Sequence, residues 1–149
     1  MSDFKKLGHS IYNHKYHIVW CPKYRYKVLQ GEVRLYIRDV LRKYSCWIKI
    51  EIVEGKVQSD HVHIVLDIAP KHSVSSIIGE LKGRAAVSIF RKFPKMYKKY
   101  WGRHFWCRGY CSSTIGLDEM TIREYVRNQQ EKDRMLEQQD LFQRGRAPL

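Results

Sequence analysis

The stretch Asp60-His61-Val62-His63-Ile64-Val65-Leu66-Asp67-Ile68 decides the fold. Side chains alternate across a strand, so Val62, Ile64, Leu66 and Ile68 share one face, while His61, His63, Val65 and Asp67 share the other. An unbroken apolar parity has to be buried, which predicts helices packed on that face. The histidine pair is then left on the opposite face of the sheet.

Working outward, Ile11 to Cys21 is rich in Tyr, Ile, Val and Trp and reads as a strand stopped by Pro22. Val33, Ile37, Val40, Leu41 and Tyr44 recur at helical spacing, predicting a helix from about Gly31 to Cys46. A second strand is expected over Trp47–Val57, with Gly55 near a turn. After the His-x-His strand, Ser73 is an N-cap candidate for a helix carrying Val74, Ile77, Ile78, Leu81, Ala85 and Ile89 and limited by Pro94. Phe105–Ile115 reads as a fourth strand, broken by Gly116. A final helix starts near Asp118 or Thr121, where Thr121-x-x-Glu124 fits a capping box, and runs to about Leu136. The order predicts an α+β fold: a ferredoxin-like βαββαβ antiparallel sheet with two helices on one face, plus a C-terminal helix free to cover the other. The 149 residues are expected to form one domain, with an ordered core of about 8–138 and a loose tail over 139–149.

Lys and Arg number 28 against 15 Asp and Glu, a formal charge of +13. Such a balance argues for a polyanion partner, above all nucleic acid. No apolar run is long enough to span a bilayer. Cys21, Cys46, Cys107 and Cys111 form no Cys-x-x-Cys pair and the N-terminus lacks a signal-peptide pattern, so reduced thiols and a cytoplasmic location are expected.

On the final helix, Gln129 lies about 40° round from Tyr125 and Gln130 about 140°, so Gln129 is the glutamine expected to share a site with the phenol. His61, His63 and Gln129 could hold a divalent ion with coordination positions left open. Oxygen-rich completion suits Mg²⁺ or Mn²⁺, and imidazole also suits zinc. Tyr125 would stand beside that ion as a nucleophile. Taken singly, each signal is weak, because a strand His-x-His is often structural and a helix tyrosine usually packs. A competing zinc site from Cys107, Cys111 and His104 needs a bend, since Cys-x-x-x-Cys spans too far along a strand.

From Leu81 to Leu117 there is no acidic residue. Lys82, Arg84, Arg91, Lys92, Lys95, Lys98, Lys99 and Arg103 alternate there with Tyr97, Tyr100, Trp101, Phe105 and Trp106. Cations that track a backbone and rings that stack on unpaired bases suit a single-stranded nucleic acid. Against a solvated basic face with some rings in the core, nucleic-acid contact is the favoured reading, because the acidic residues concentrate in the last helix and tail.

Three stretches taken in order, Tyr16-His17-Ile18-Val19-Trp20-Cys21-Pro22-Lys23-Tyr24-Arg25, Asp60-His61-Val62-His63 and Tyr125-Val126-Arg127-Asn128-Gln129, resemble the small HUH-class single-strand DNA transposases with one catalytic tyrosine. The resemblance runs from about Gly8 to Gln130. It implies the same ferredoxin-like fold, metal ligation by His61, His63 and Gln129, and Tyr125 as the nucleophile that forms a 5′-phosphotyrosine and leaves a 3′-hydroxyl. It further implies hairpin-bearing single-stranded DNA as substrate, Mg²⁺ or Mn²⁺ as cofactor, and a homodimer with joined sheets and sites completed in trans. A prokaryotic, nucleoid-associated setting goes with these. A domesticated relative acting on repeated chromosomal hairpins would carry the same residues. A non-catalytic nucleic-acid-binding module would have no reason to combine them.

Overall fold

The computed structural model describes residues 4–23, 27–100 and 104–144. A small hairpin, β1 (Lys5–Leu7) with β2 (Ser10–Tyr12), precedes the main sheet. That sheet is built from β3 (Lys15–Trp20), β4 (Glu51–Val57), β5 (Val62–Asp67) and β6 (Cys111–Ser113). Its order is β4-β5-β3-β6 and every pairing is antiparallel, which is the ferredoxin-like arrangement. Between the strands run α1 (Gly31–Trp47), α2 (Val74–Lys92) and the short α3 (Pro94–Lys99). The chain then enters α4 (Glu119–Arg144).

The apolar parity of β5 lies where its alternation requires. Val62, Ile64, Leu66 and Ile68 join Ile18 and Trp20 of β3 in one cluster with Ile37, Val40 and Leu41 of α1 and Ile77, Ile78, Leu81, Ala85 and Ile89 of α2. Each such side chain fully removed from water contributes about 1.5–3 kcal/mol. On the other face a second cluster of Val19, Ile122 and Val126, with Cys111, Leu117 and Tyr125 packed against it, docks α4. Its distal half leaves Met135, Leu136, Leu141 and Phe142 exposed.

Several boundaries differ from expectation. The first strand divides: Tyr12 ends the small hairpin and only Lys15–Trp20 enters the main sheet. Helix α1 continues to Trp47, and the second strand starts at Glu51. The fourth strand shrinks to three residues; upstream of it a single bridge joins Trp106 to Pro22. Phe105 and Trp106 are drawn into the helix-side core instead, where their rings meet edge to face at 4.6 Å. Part of the basic aromatic stretch forms α3, which starts at Pro94, a residue suited to a helix's first turn. Helix α4 is capped by Asp118, which accepts from Thr121 N–H at 2.7 Å, rather than by a Thr121 box. It continues past Leu136 into the segment expected to be loose, and residues 145–149 lie outside the described residues.

Gly55, expected near a turn, sits inside β4 opposite Ile64. The strand holds a bulge: Ile52 pairs with Leu66 and Glu54 with Val65, so Val53 is an extra residue. Ile52 and Val57 are five apart, and strict alternation would put them on opposite faces; the bulge brings both to the helix-side core. It also turns Glu54 and Lys56 to the open face, with Lys56 directly across from His63. Among the described residues no helix is long and apolar enough to cross a membrane.

Leu66→Ala is expected to lower unfolding free energy by about 2–5 kcal/mol in urea denaturation. Ile122→Ala, in the smaller cluster under α4, should cost less; equal losses would mean that α4 belongs to the main core.

Candidate active site on the open sheet face

His61 and His63 stand on the sheet face that α1 and α2 leave free, as the alternation requires. A tight turn precedes them, with Gln58 N–H donating to His61 C=O at 2.9 Å. The Nδ1–H of His61 donates to Asp60 Oδ1 at 2.8 Å. A carboxylate can only accept, so this bond fixes the tautomer and leaves Nε2 of His61 as a free ligand atom. Nε2 of His63 is buried and has no hydrogen-bond partner. Burial holds His63 below its ordinary proton affinity, and the neighbouring His17, His61 and Lys56 add to the effect against Glu54. A depressed value keeps the ring neutral near pH 7, the form that ligates metals. His17 of β3 lies on the same face, its ring centroid 5.9 Å from that of His63.

The donor set fits a divalent ion: two imidazoles, each with a nitrogen left unpaired, one of them braced by a carboxylate. Among the described residues no three His, Cys, Asp or Glu side chains are placed to hold an ion together.

Helix α4 crosses over this face, and its buried stripe is Ile122, Val126 and Asp133. At about 100° per residue the two flanks of that stripe differ. One flank, with Arg123, Arg127 and Gln130, walls a cleft of about 660 Å³ floored by His61 and His63, with Lys56 and Asp60 also lining it. The other flank carries Tyr125 and Gln129, neither of which lines the cleft. The Tyr125 hydroxyl is buried without a hydrogen bond of good geometry. Burial raises its pKa well above that of an ordinary tyrosine, Cys21, Cys107 and Cys111 add to the rise, and Gln129 opposes it. The structure thus brings His61 and His63 together, brings Tyr125 and Gln129 together, and separates the two pairs across one helix.

The residues expected to contact nucleic acid divide. Lys82 is directed inward, its ammonium donating to Cys107 C=O at 2.9 Å and Gly109 C=O at 2.8 Å. Arg84 pairs with Glu80 and lies 4.2 Å over the Trp47 ring, on the helix side of the sheet. Arg91, Lys92, Lys95, Lys98 and Lys99 are exposed around the end of α2 and along α3. Among the interleaved rings, Tyr100, Phe105 and Trp106 are core and Tyr97 is exposed, which removes most of the expected stacking surface. Arg103, Trp101 and the Tyr24-Arg25 end of the first motif lie outside the described residues.

Three residues of the site escaped the sequence reading. For Asp60, the signal that could have found it is its place next to His61 in the chain. His17 needed the β3–β5 register, and Lys56 needed the bulge.

The sequence and the fold both match those of known DNA transposases. The family model "Transposase IS200 like" matches residues 10–129. The transposase for insertion sequence element IS200 of Salmonella typhimurium is 43% identical over 93% of this chain and 91% of its own length. The ISDra2 transposase TnpA of Deinococcus radiodurans is 33% identical over 88% of this chain and 94% of its own. A crystal structure of a candidate transposase from Deinococcus radiodurans R1 superposes with a TM-score of 0.75 at 34% identity, covering 84% of this chain and 97% of that one. A REP-associated tyrosine transposase bound to a REP hairpin shares the fold, with a TM-score of 0.51 and 14% identity over 82% of this chain and 67% of that one. The chain belongs to the IS200-like transposase family, whose members bind DNA and recombine it by cutting and joining strands.

The buried phenol gives a stability test. Its proton is held more tightly in the folded chain, so above pH ~10 the unfolded chain releases that proton first and the fold loses stability. Urea midpoints at about pH 8 and about pH 11 should fall more for wild type than for Tyr125→Phe. Parallel losses would show that the phenol is not buried as described.

Proposed function

We propose that this transposase cuts hairpin-bearing single-stranded DNA by in-line attack of Tyr125 and rejoins strands through the resulting 5′-phosphotyrosine. The observation that carries the reading is the meeting, on one sheet face, of two ligand-ready imidazoles and the helix that bears Tyr125. In the step, the phenolic oxygen bonds to phosphorus as the bond to the deoxyribose 3′-oxygen breaks. The phenol gives up its proton and the departing oxygen gains one. The tyrosine ester conserves the phosphodiester linkage, so a second 3′-hydroxyl can reverse the step without an energy source.

His61 and His63 would hold Mg²⁺ or Mn²⁺, joined by an amide oxygen from α4. When bound, the ion supplies Lewis acidity at the scissile phosphate. Gln129 is the amide that travels with Tyr125, and Gln130 is the amide that faces the cleft in the described packing. Asp60 keeps His61 in the ligating tautomer.

Tyr125 must reach the histidines from the far flank of α4. Either the helix redocks, or the helix of a second copy lies across the cleft and completes the site in trans. Exposed Met135, Leu136 and Leu141 on the distal half of α4 support a homodimer. Joined sheets are part of the same proposal. The exposed cations Arg91, Lys92, Lys95 and Lys98 are suited to DNA phosphates, and the relative bound to a REP hairpin supports hairpin recognition here. The setting is the prokaryotic cytoplasm, at the nucleoid. The 43% identity to an insertion-sequence transposase favours a mobile element over a domesticated relative.

The test is a denaturing gel of the protein with single-stranded oligonucleotides tiling the DNA on both sides of the coding sequence, with Mn²⁺ or with chelator. Wild type should form a metal-dependent covalent adduct. Tyr125→Phe should form none while still binding DNA, and His61→Ala or His63→Ala should abolish metal-dependent cleavage. An undiminished adduct from Tyr125→Phe would remove Tyr125 as nucleophile. Asp60→Ala should weaken Mn²⁺ binding about 10- to 100-fold, and Asp60→Asn, which keeps an acceptor, should weaken it less. Equal affinity in all three proteins would show that the Asp60 contact is incidental.

A further inference from the structure

We propose that Lys56 contacts the scissile phosphate and stabilises the charge that develops there during strand cleavage. The assignment rests on the reading of His61 and His63 as the metal-holding pair.

Three observations carry it. Lys56 pairs across the sheet with His63, and facing residues on adjacent antiparallel strands have Cβ atoms about 4.5–5.5 Å apart. The two side chains leave the same face and line the same cleft. Lys56 reaches that face only because Val53 is bulged out of β4; regular alternation from Ile52 would direct it toward the helices. Bulges recur beside active sites because they re-aim a side chain without altering the rest of a strand.

A cation in this place opposes a metal ion held by its neighbours. Among the described residues Lys56 forms no hydrogen bond or ion pair that would neutralise it. An anion brought in by substrate would do so, and a DNA phosphate lying over the histidines is such an anion. Arg123 and Arg127 also line the cleft, but both ride on α4 and Arg123 is paired with Glu119 at 2.5 Å. Lys56 belongs to the sheet that holds the histidines. It keeps its relation to them whichever copy supplies the tyrosine helix.

A group that helps substrate but repels the ion has a signature that a structural residue lacks. In Lys56→Gln, single-turnover adduct formation on those oligonucleotides should slow by about 10- to 100-fold, the scale of losing one transition-state contact at a partly exposed site. Mn²⁺ affinity, read by electron paramagnetic resonance without DNA, should be unchanged or tighter. Lys56→Arg should recover much of the rate. A wild-type adduct with Lys56→Gln at the wild-type rate would overturn the assignment while leaving the proposed chemistry intact. Loss of Mn²⁺ binding in Lys56→Gln would overturn it in favour of a structural role. Failure of wild type itself to form an adduct, with Mn²⁺ bound, would overturn the tyrosine chemistry and this role together.

Discussion

The pairing of Lys15–Trp20 with Val62–Asp67 is the constraint on which the rest of the molecule depends. Six consecutive residue pairs hold the two central strands in register, from Lys15 opposite Asp67 to Trp20 opposite Val62. A slip by one residue would turn the apolar set of β5 into solvent and the histidines into the core. Burial of Ile64 and Leu66 against the helices therefore also holds the imidazoles in place on the other face. The same register brings Val19 beneath Ile122 and Val126, so the site's floor and the landing place for α4 come from one pair of strands.

Much of this was legible in the residues because it follows from short-range alternation. The β5 parity, the stripes of α1 and α2, and the position of His61 and His63 needed only periods of 2 and 3.6. The features that were not legible depend on long-range choices. Phe105 and Trp106 have the composition of a strand, yet filling the core beside Phe90 and Tyr100 outweighs sheet pairing there. Lys82 reads as a surface cation in a basic run, but the carbonyls of Cys107 and Gly109 capture it. The 40° between Tyr125 and Gln129 correctly grouped those two side chains. It could not say which flank of the helix would meet the histidines, because Ile122 and Val126 decide how α4 is rolled on the sheet.

That roll gives the molecule a resting character. The helix carries its tyrosine into a cysteine-lined, partly buried niche, while its opposite flank walls the cleft over the histidines. Under the proposed chemistry, the tyrosine and the histidines lie apart, so the helix or its donor has to change before they can act together. Control of cleavage would then lie in docking geometry, not in the identity of the reacting groups.

The bulge at Val53 has a consequence for solubility. Strand β4 is an edge of the sheet, and a long flat edge invites foreign strands to add to it. An extra residue interrupts the outer rim and increases local twist, so an incoming strand would meet two short, mismatched ladders instead of one continuous template. The bulge thereby keeps one of the chain's exposed backbone rims from serving as a template for aggregation.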